Sequence, residues 1–344
     1  MRVLLLGANG QLGSDLRRAH EASGARFDLV PIGRDTLDVA VPGDVDRVLK
    51  DRDFDALVNC TSYHKTDEVE LNGGLAMAVN AHAVDALARI CAAKGARFVH
   101  FSSDYVFGGD VLHRRPYRED DPTSPVNVYG ASKALGETFA QLACPNAIVV
   151  RVASLFGVNG ASGKGGNFVE TIIRVAREKG RLKVVDDQVM SPTATADVAE
   201  MVLRMLTQGC PGGVYHVVGS GSASWYAFAR EIVRLVNIPA DVEACESRDF
   251  PTVAMRPAYS VLDGSKISSR FGAMPRWEDA LERYLHAKGH RSGTREPAGC
   301  RAPDNEAFAL RYDLMTTDQV PARTMSEWLL ETEFDKYVRT RRRM

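Results

Sequence analysis

"RVLLLGANGQLGS", residues 2–14, decides the fold. An apolar run from Val3 to Leu6 breaks at Gly7, and Gly10 and Gly13 follow before the amphipathic stretch "QLGSDLRRAHEAS". A run apolar at successive positions suits a strand covered on both faces. Glycines between such a strand and a helix let the backbone turn tightly and approach a pyrophosphate, which the amide groups at a helix N-terminus attract. G-x-x-G-x-x-G also occurs in turns that bind nothing. Its place at the opening of a βαβ unit makes dinucleotide binding the expectation here.

Downstream, the same alternation repeats. "RFDLVPIG", "DALVNCTS", "RFVHFSSDYVF" and "NAIVVRVASLFG" read as strands. "VPGDVDRVLKDR", the long "GLAMAVNAHAVDALARICAAKG" and a stretch around Tyr129 read as the intervening helices. This predicts an α/β fold built on a doubly wound parallel sheet over residues 1–157. After residue 157 the rhythm loosens into "FVETIIRVAREKG", "LKVVDD", "ATADVAEMVLRMLTQG", "GGVYHVVG" and "SWYAFAREIVRLVN". Residues 158–288 are expected to form mainly a smaller substrate lobe, interleaved because 184–218 return to the main sheet. Residues 289–344 read as a polar linker, then an amphipathic tail helix ending in four arginines.

Bulk numbers narrow the class. Of 344 residues, 45% are hydrophobic and 25% charged, as in an ordinary globular protein. A net charge of −1 gives no electrostatic reason to expect nucleic acid or an acidic membrane as partner. No apolar run approaches the ~18 residues of a membrane span, and "MRVLLLGANG" lacks the long apolar core of a signal peptide, so a cytoplasmic protein is expected. The six cysteines are scattered without a C-x-x-C pair and the eight histidines lack ligand spacing, so no metal site is expected.

Two stretches refine the chemistry. In "PIGRDTLDV", at the end of the second strand, an acid would mark NAD and an arginine would suit the 2′-phosphate of NADP. Arg34 favours NADP, because a guanidinium matches a phosphate better than a diol, while the adjacent Asp35 keeps NAD open. Asp38 is either an adenine-edge acceptor or an exposed turn acid. In "VYGASK", residues 128–133, Tyr129 and Lys133 share one face of a helix. A neighbouring ammonium is expected to draw the phenol's pKa down from its usual ~10 towards the working range. Ser102 and Ser103 lie at a strand's C-terminal end, where a hydroxyl can hold a substrate carbonyl against the tyrosine.

With these pieces the chain resembles the dTDP-4-dehydrorhamnose reductases, which are extended short-chain dehydrogenase/reductases. The resemblance runs, in order, through "LLLGANGQLG", "VNCTSYHKTDEVE", "HFSSDYVFGG", "TSPVNVYGASKALGE", "GGNFVETIIRVA", "VVDDQVMSPT" and "RPAYSVLD". It covers residues 1 to about 286 and implies a Rossmann-type domain with a small C-terminal substrate lobe. The implied activity is NAD(P)H-dependent reduction of the C4 ketone of a nucleotide-linked 6-deoxy sugar. Tyr129 would protonate the alkoxide, Lys133 would tune it and hold the nicotinamide ribose, and Ser103, where the family usually has Thr, would orient the carbonyl. The cofactor would lie on Gly7, Asn9, Gly10, Gln11, Leu12 and Gly13. Arg34, Asp38 and Val39 would flank it, with Cys60, Thr61, Ser62, Asn80 and Ser102 as floor. Asp104, Tyr105, Ser154, Asn167 and Arg256 would face the sugar nucleotide, Arg256 as a diphosphate clamp.

Departures matter as well. The family's R-T-S-W becomes "RVAS", so Ser154 replaces a Trp and opens the pocket to another keto sugar. Dehydratases of this fold follow the hydroxyl with Asp-Glu, whereas here Asp104 and Tyr105 follow Ser103. Epimerases share the Ser, Tyr and Lys and stay open as a reading. So does a non-catalytic NADP-binding subunit like the regulatory β subunit of methionine adenosyltransferase. Its docking helix would be the tail with Trp328 and Leu329, which otherwise covers the protein's own surface or pairs two copies as a homodimer. Some relatives bind Mg²⁺ through acids at a dimer interface, and Asp15 is the residue placed to do so here.

Overall fold

The computed structural model describes residues 1–24, 27–160 and 166–291. The tail with Trp328 and Leu329 lies outside them. β1 (Arg2–Leu6) and α1 (Gln11–Ser23) flank the glycine loop, and β2 (Asp28–Ile32), α2 (Asp44–Leu49) and β3 (Ala56–Asn59) follow. Next come α3 (Thr66–Leu71), α4 (Gly73–Met77), a π-helical turn (Ala78–His82) and α5 (Ala83–Lys94), then β4 (Arg97–Ser103), α6 (Val128–Ala143) and β5 (Ile148–Val152). The later elements are β6 (Leu155–Phe156), α7 (Phe168–Lys179), β7 (Arg181–Val185), β8 (Val189–Met190), β9 (Thr193–Ala194), α8 (Thr195–Thr207) and β10 (Gly213–His216). β11 (Ala223–Ser224), α9 (Trp225–Val236), β12 (Asp241–Cys245), α10 (Ser265–Phe271) and α11 (Trp277–Ala287) complete the described chain.

Six strands form one parallel sheet in the order β10-β5-β4-β3-β1-β2. The chain runs outward from β1 to β2, then crosses back to β3, so a crevice opens at the carboxyl ends of β1 and β3. Alternate side chains of the buried strands feed two cores. Val3, Leu5, Val58 and Val150 pack against Val198, Val202 and Leu206 of α8. Leu4, Leu6, Leu57 and Val149 pack against Val84, Leu87 and Cys91 of α5. The helix Gly73–Lys94 is long and apolar enough by length and composition to cross a membrane, but its Val84, Leu87 and Cys91 are spent on this core.

Of residues 184–218, α8 and β10 join this Rossmann body, β8 pairs with β11, and β9 pairs with β6. A separate core gathers Phe156, Val169, Ile173, Phe228, Ile232, Trp277 and Leu281, chiefly from α7, α9 and α11. β7 and β12 form a short parallel ladder there. The stretch "NAIVVRVASLFG" is two strands, because Ser154 takes a left-handed φ of 41° between β5 and β6. A side chain in that region costs about 1–2 kcal/mol, which only a well-packed surround supports.

Candidate active site

A cleft of about 1070 Å³ opens at the crevice between the carboxyl ends of β1 and β3. Its floor requires glycine. Gly7 has φ +72°, and a Cβ there would stand 3.0 Å from the Cys60 carbonyl. A Cβ on Gly13 would collide with the Gly7 carbonyl oxygen. α1 begins after Gly10, and among the described residues no side chain caps its first amides, so those N–H groups suit a ligand. This cradle, which any larger residue would fill, fits a dinucleotide pyrophosphate.

Gly7, Gly10, Gln11, Leu12 and Gly13 line the cleft, as do Arg34, Asp38 and Val39 at the end of β2. Arg34 is largely exposed and ion-paired to Asp38 at 3.0 Å, so Asp38 orients the guanidinium. Cys60, Thr61, Ser62 and Ser102 are also in the wall. Two residues of the expected cofactor set are elsewhere. Asn9, in the loop between β1 and α1, is exposed and does not line the cleft. Asn80 lies behind the wall at 1% exposure and acts as a brace. Its amide joins the Tyr63 N–H (2.9 Å), the Tyr63 carbonyl (3.0 Å) and Ser132 Oγ (3.0 Å), tying the loop after β3 to α6. It lies within the π-helical turn, a distortion that hydropathy does not reveal.

Asn127 caps α6, its side chain accepting the Gly130 N–H at 2.8 Å, and so places Tyr129 and Lys133 on the cleft face of the first turns. The phenol does not behave as its spacing suggests. Burial pushes the Tyr129 pKa up to about 12, outweighing hydrogen bonds from Ser103 and Ser62 that lower it. Lys133, on the same face of the helix, does not bring it back down. Lys133 is itself drawn down to about 8 by burial, which Glu137 and Cys60 only partly oppose. Burial therefore holds Tyr129 as a neutral phenol at pH 7, protonated more firmly than a free tyrosine.

Ser103 sits beside it, with Oγ accepting from the Tyr105 N–H (3.2 Å) and donating to Asp104 Oδ1 (3.0 Å). Asp104 also accepts from Ser260 Oγ at 2.6 Å, yet burial raises its pKa to about 6. For Ser103 to donate to a carbonyl, its hydroxyl must turn from Asp104. Tyr105 and Ser154 reach the cleft too. Asn167 lines it but is committed elsewhere. It caps α7 and bonds the Gly157 carbonyl and the Tyr284 hydroxyl. Arg256 is mostly buried and paired with Asp67 at 2.7 Å, so it is held across the cleft by an acid on α3. Asp15, the candidate Mg²⁺ acid, is engaged by Thr195 and Arg18.

Sequence reasoning missed Asp67, Phe168 and Trp225, all of which line this cleft. Phe168 and Trp225 pack with ring centroids 4.5 Å apart. Each is the first residue of a capped helix, after Asn167 and Ser224 respectively, and that cap-plus-aromatic pattern was the available signal.

An open parallel sheet with a glycine-floored crevice at its switch point, and a buried phenol beside it, is the build of a Rossmann-type NAD(P)-dependent oxidoreductase. Residues 1–289 match the family described as RmlD substrate binding domain, and the chain belongs to that family. It is similar to the dTDP-4-dehydrorhamnose reductase of Mycobacterium tuberculosis, at 38% identity over 83% of this chain and 93% of that one. A spore coat polysaccharide biosynthesis protein of Bacillus subtilis, SpsK, is 34% identical over 83% of this chain and 98% of its own length. The crystal structure of dTDP-4-dehydrorhamnose reductase from Bacillus anthracis in complex with NADP aligns with a TM-score of 0.77 and 33% identity. It covers 83% of this chain and 99% of that one.

Proposed function

We propose that this sugar-ketone reductase acts on the C4 ketone of a dTDP-linked 4-keto-6-deoxy sugar, with NADPH as reductant and Tyr129 as proton donor. The observation that carries the reading is a buried phenol, protonated at neutral pH, in the same cleft as the glycine loop and one helical turn from Lys133. NADPH, when bound, supplies the hydride that goes to the ketone carbon. The first amides of α1 would hold its pyrophosphate, Arg34 the 2′-phosphate, and Cys60 to Ser62 the floor beneath it. Ser103, turned from Asp104, donates a hydrogen bond to the carbonyl oxygen. Tyr129 then transfers its phenolic proton to that oxygen, so the product is an alcohol and the residue is left as phenolate. Lys133, one turn along α6 in the same cleft, would be the cation at hand as that phenolate forms.

Two measurements test the reading. Purified protein offered dTDP-4-dehydrorhamnose should oxidise one NADPH per sugar consumed. No turnover of this or any other 4-keto-6-deoxy sugar nucleotide overturns the assignment. Arg34→Ala should raise the KM for NADPH about tenfold, the worth of one charge-assisted hydrogen bond, while leaving that for NADH almost unchanged. Ser154 supports a second reading of the substrate alone. A small side chain where the family carries Trp leaves room for a bulkier keto sugar than dTDP-4-dehydrorhamnose. Product NMR across a panel of keto sugars distinguishes the two.

A further inference from the structure

Lys133 is 1% exposed, and among the described residues its ammonium has one hydrogen-bond partner, His100 Nε2 at 3.3 Å. The partner is uncharged, because burial first and Lys133 second hold the fully buried imidazole well below its ordinary range. Among the described residues the anion that acts on Lys133, Glu137, offsets the burial only in part. Glu137, one turn along α6, gives both carboxylate oxygens to Arg151 at 2.8 and 2.7 Å. The Cys60 thiol, which faces Lys133 from the end of β3, is pushed up by burial and stays neutral. Phe98, on the same strand as His100, adds only an apolar ring, 6.1 Å away.

On the far side of the imidazole stands Asn59, the register partner of His100 across β3 and β4. Its Nδ2 lies 3.3 Å from His100 Nδ1. The amide cannot simply turn over. Its Oδ1 accepts the Thr61 backbone N–H at 3.0 Å and the Thr61 hydroxyl at 2.6 Å, and a backbone N–H can only donate. The ring therefore meets a nitrogen donor at each end. A neutral imidazole has one N–H and one lone pair, so it satisfies only one of them. With Lys133 as ammonium, Nε2 accepts and Nδ1–H confronts the Asn59 amide. With Lys133 as amine, Nε2–H donates to it, Nδ1 accepts from Asn59, and every group is paired.

We infer that Asn59 and His100 form a buried tautomer switch behind Lys133, a positioning pair that loosens the ammonium's proton and couples it to the ring. Loss of one N–H bond from Lys133 goes with a move of the ring proton from Nδ1 to Nε2, and the ring keeps one proton throughout. Resting on the reading of Tyr129 above, the pair would set how readily Lys133 carries its charge when a reduction leaves the phenolate. The pair touches neither cofactor nor sugar and acts only through Lys133.

The test needs no substrate. In full-length protein labelled with ¹⁵N-histidine, the His100 ring is followed between about pH 6 and pH 10, assigned against Lys133→Met. The expected result is a change of tautomer with a single midpoint, and one fixed tautomer in Lys133→Met. Asn59→Asp keeps the shape and both Thr61 bonds but replaces the donor with an acceptor. It should stabilise Nδ1–H and raise the midpoint by at least one pH unit, a tenfold lower proton concentration. The alkaline limb of kcat should move with it. A ring that stays in one tautomer throughout, or a midpoint unmoved in folded Asn59→Asp, overturns the inference. Should Asn59→Asp not fold, the wild-type titration decides alone. Absent turnover on every keto sugar would remove the reductase reading and leave the titration to judge the switch.

Discussion

Two cations are buried on the same face of the sheet beneath α6, and their surroundings are opposite. Arg151, 3% exposed, has a bidentate carboxylate partner in Glu137, a third contact in His216 Nε2 at 3.3 Å, and the Phe107 ring 4.9 Å away. Lys133, 1% exposed, has among the described residues one hydrogen-bond partner, a neutral imidazole. Removing a charge from water is costly, and a fork of two charge-assisted hydrogen bonds recovers much of that cost where an imidazole recovers little. Arg151 and Glu137 thus fasten β5 to α6. Lys133 is held at a disadvantage, one helical turn away, where the cleft begins. The difference teaches that an under-paired buried charge marks the working end of the helix, and a fully paired one marks its anchorage.

The contrast predicts that the two ends of α6 fail in different ways. The largest effect should come from Tyr129→Phe, which removes the proton donor and should lower kcat by roughly 10²–10⁴-fold with an unchanged melting temperature. Equal rates in the two proteins would end the assignment of Tyr129. Glu137→Gln should do the reverse, costing about 3–5 kcal/mol in a urea titration because it strands the Arg151 charge. If it costs no more than a surface substitution, the anchorage account is wrong.

Lys133→Met should sharpen the comparison. The lysine's folded pKa, about 8, lies below its usual 10.5, so the folded state carries an unfavourable charge at and below pH 8. That burden is relieved as pH rises from 8 to 10.5, where the unfolded chain still holds the proton. The variant should therefore be more stable than wild type at pH 7, by on the order of 3 kcal/mol at most, with the gap closing towards pH 10.5. Asp104 offers the smallest test. Its raised folded pKa, about 6 against 3.8, makes the ionised form a cost that is fully present above pH 6 and gone below 3.8. Asp104→Asn should gain about 1 kcal/mol at pH 7, once altered hydrogen bonds to Ser103 and Ser260 are allowed for, and nothing near pH 4. A thermal melt at each pH reads both.

Much of the body was legible because its signals are local. The helix read from "QLGSDLRRAHEAS" has those limits in the structure, and the strands of the sheet fall within the apolar runs that suggested them. Tyr129 and Lys133 share the cleft because spacing on a helix fixes a face. Illegible parts depend on distant partners. Asn80 lies in a π-helical turn, buried and off the cleft lining, and no hydropathy pattern encodes that turn. Asp67 meets Arg256 across 189 residues. Asn167 was read for the sugar, but its amide is divided among Glu170, Gly157 and Tyr284.

By itself, the sequence determined the order of strands and helices, the glycine cradle and the face that carries the phenol. These follow from residue type and short-range periodicity. Only the tertiary structure decided how those groups ionise. Whether a phenol sits near 10 or 12, and whether a lysine keeps its proton at pH 8, depends on how much water the packed chain excludes and which partners it leaves. Desolvation belongs to the whole assembly, and no single stretch of residues encodes it.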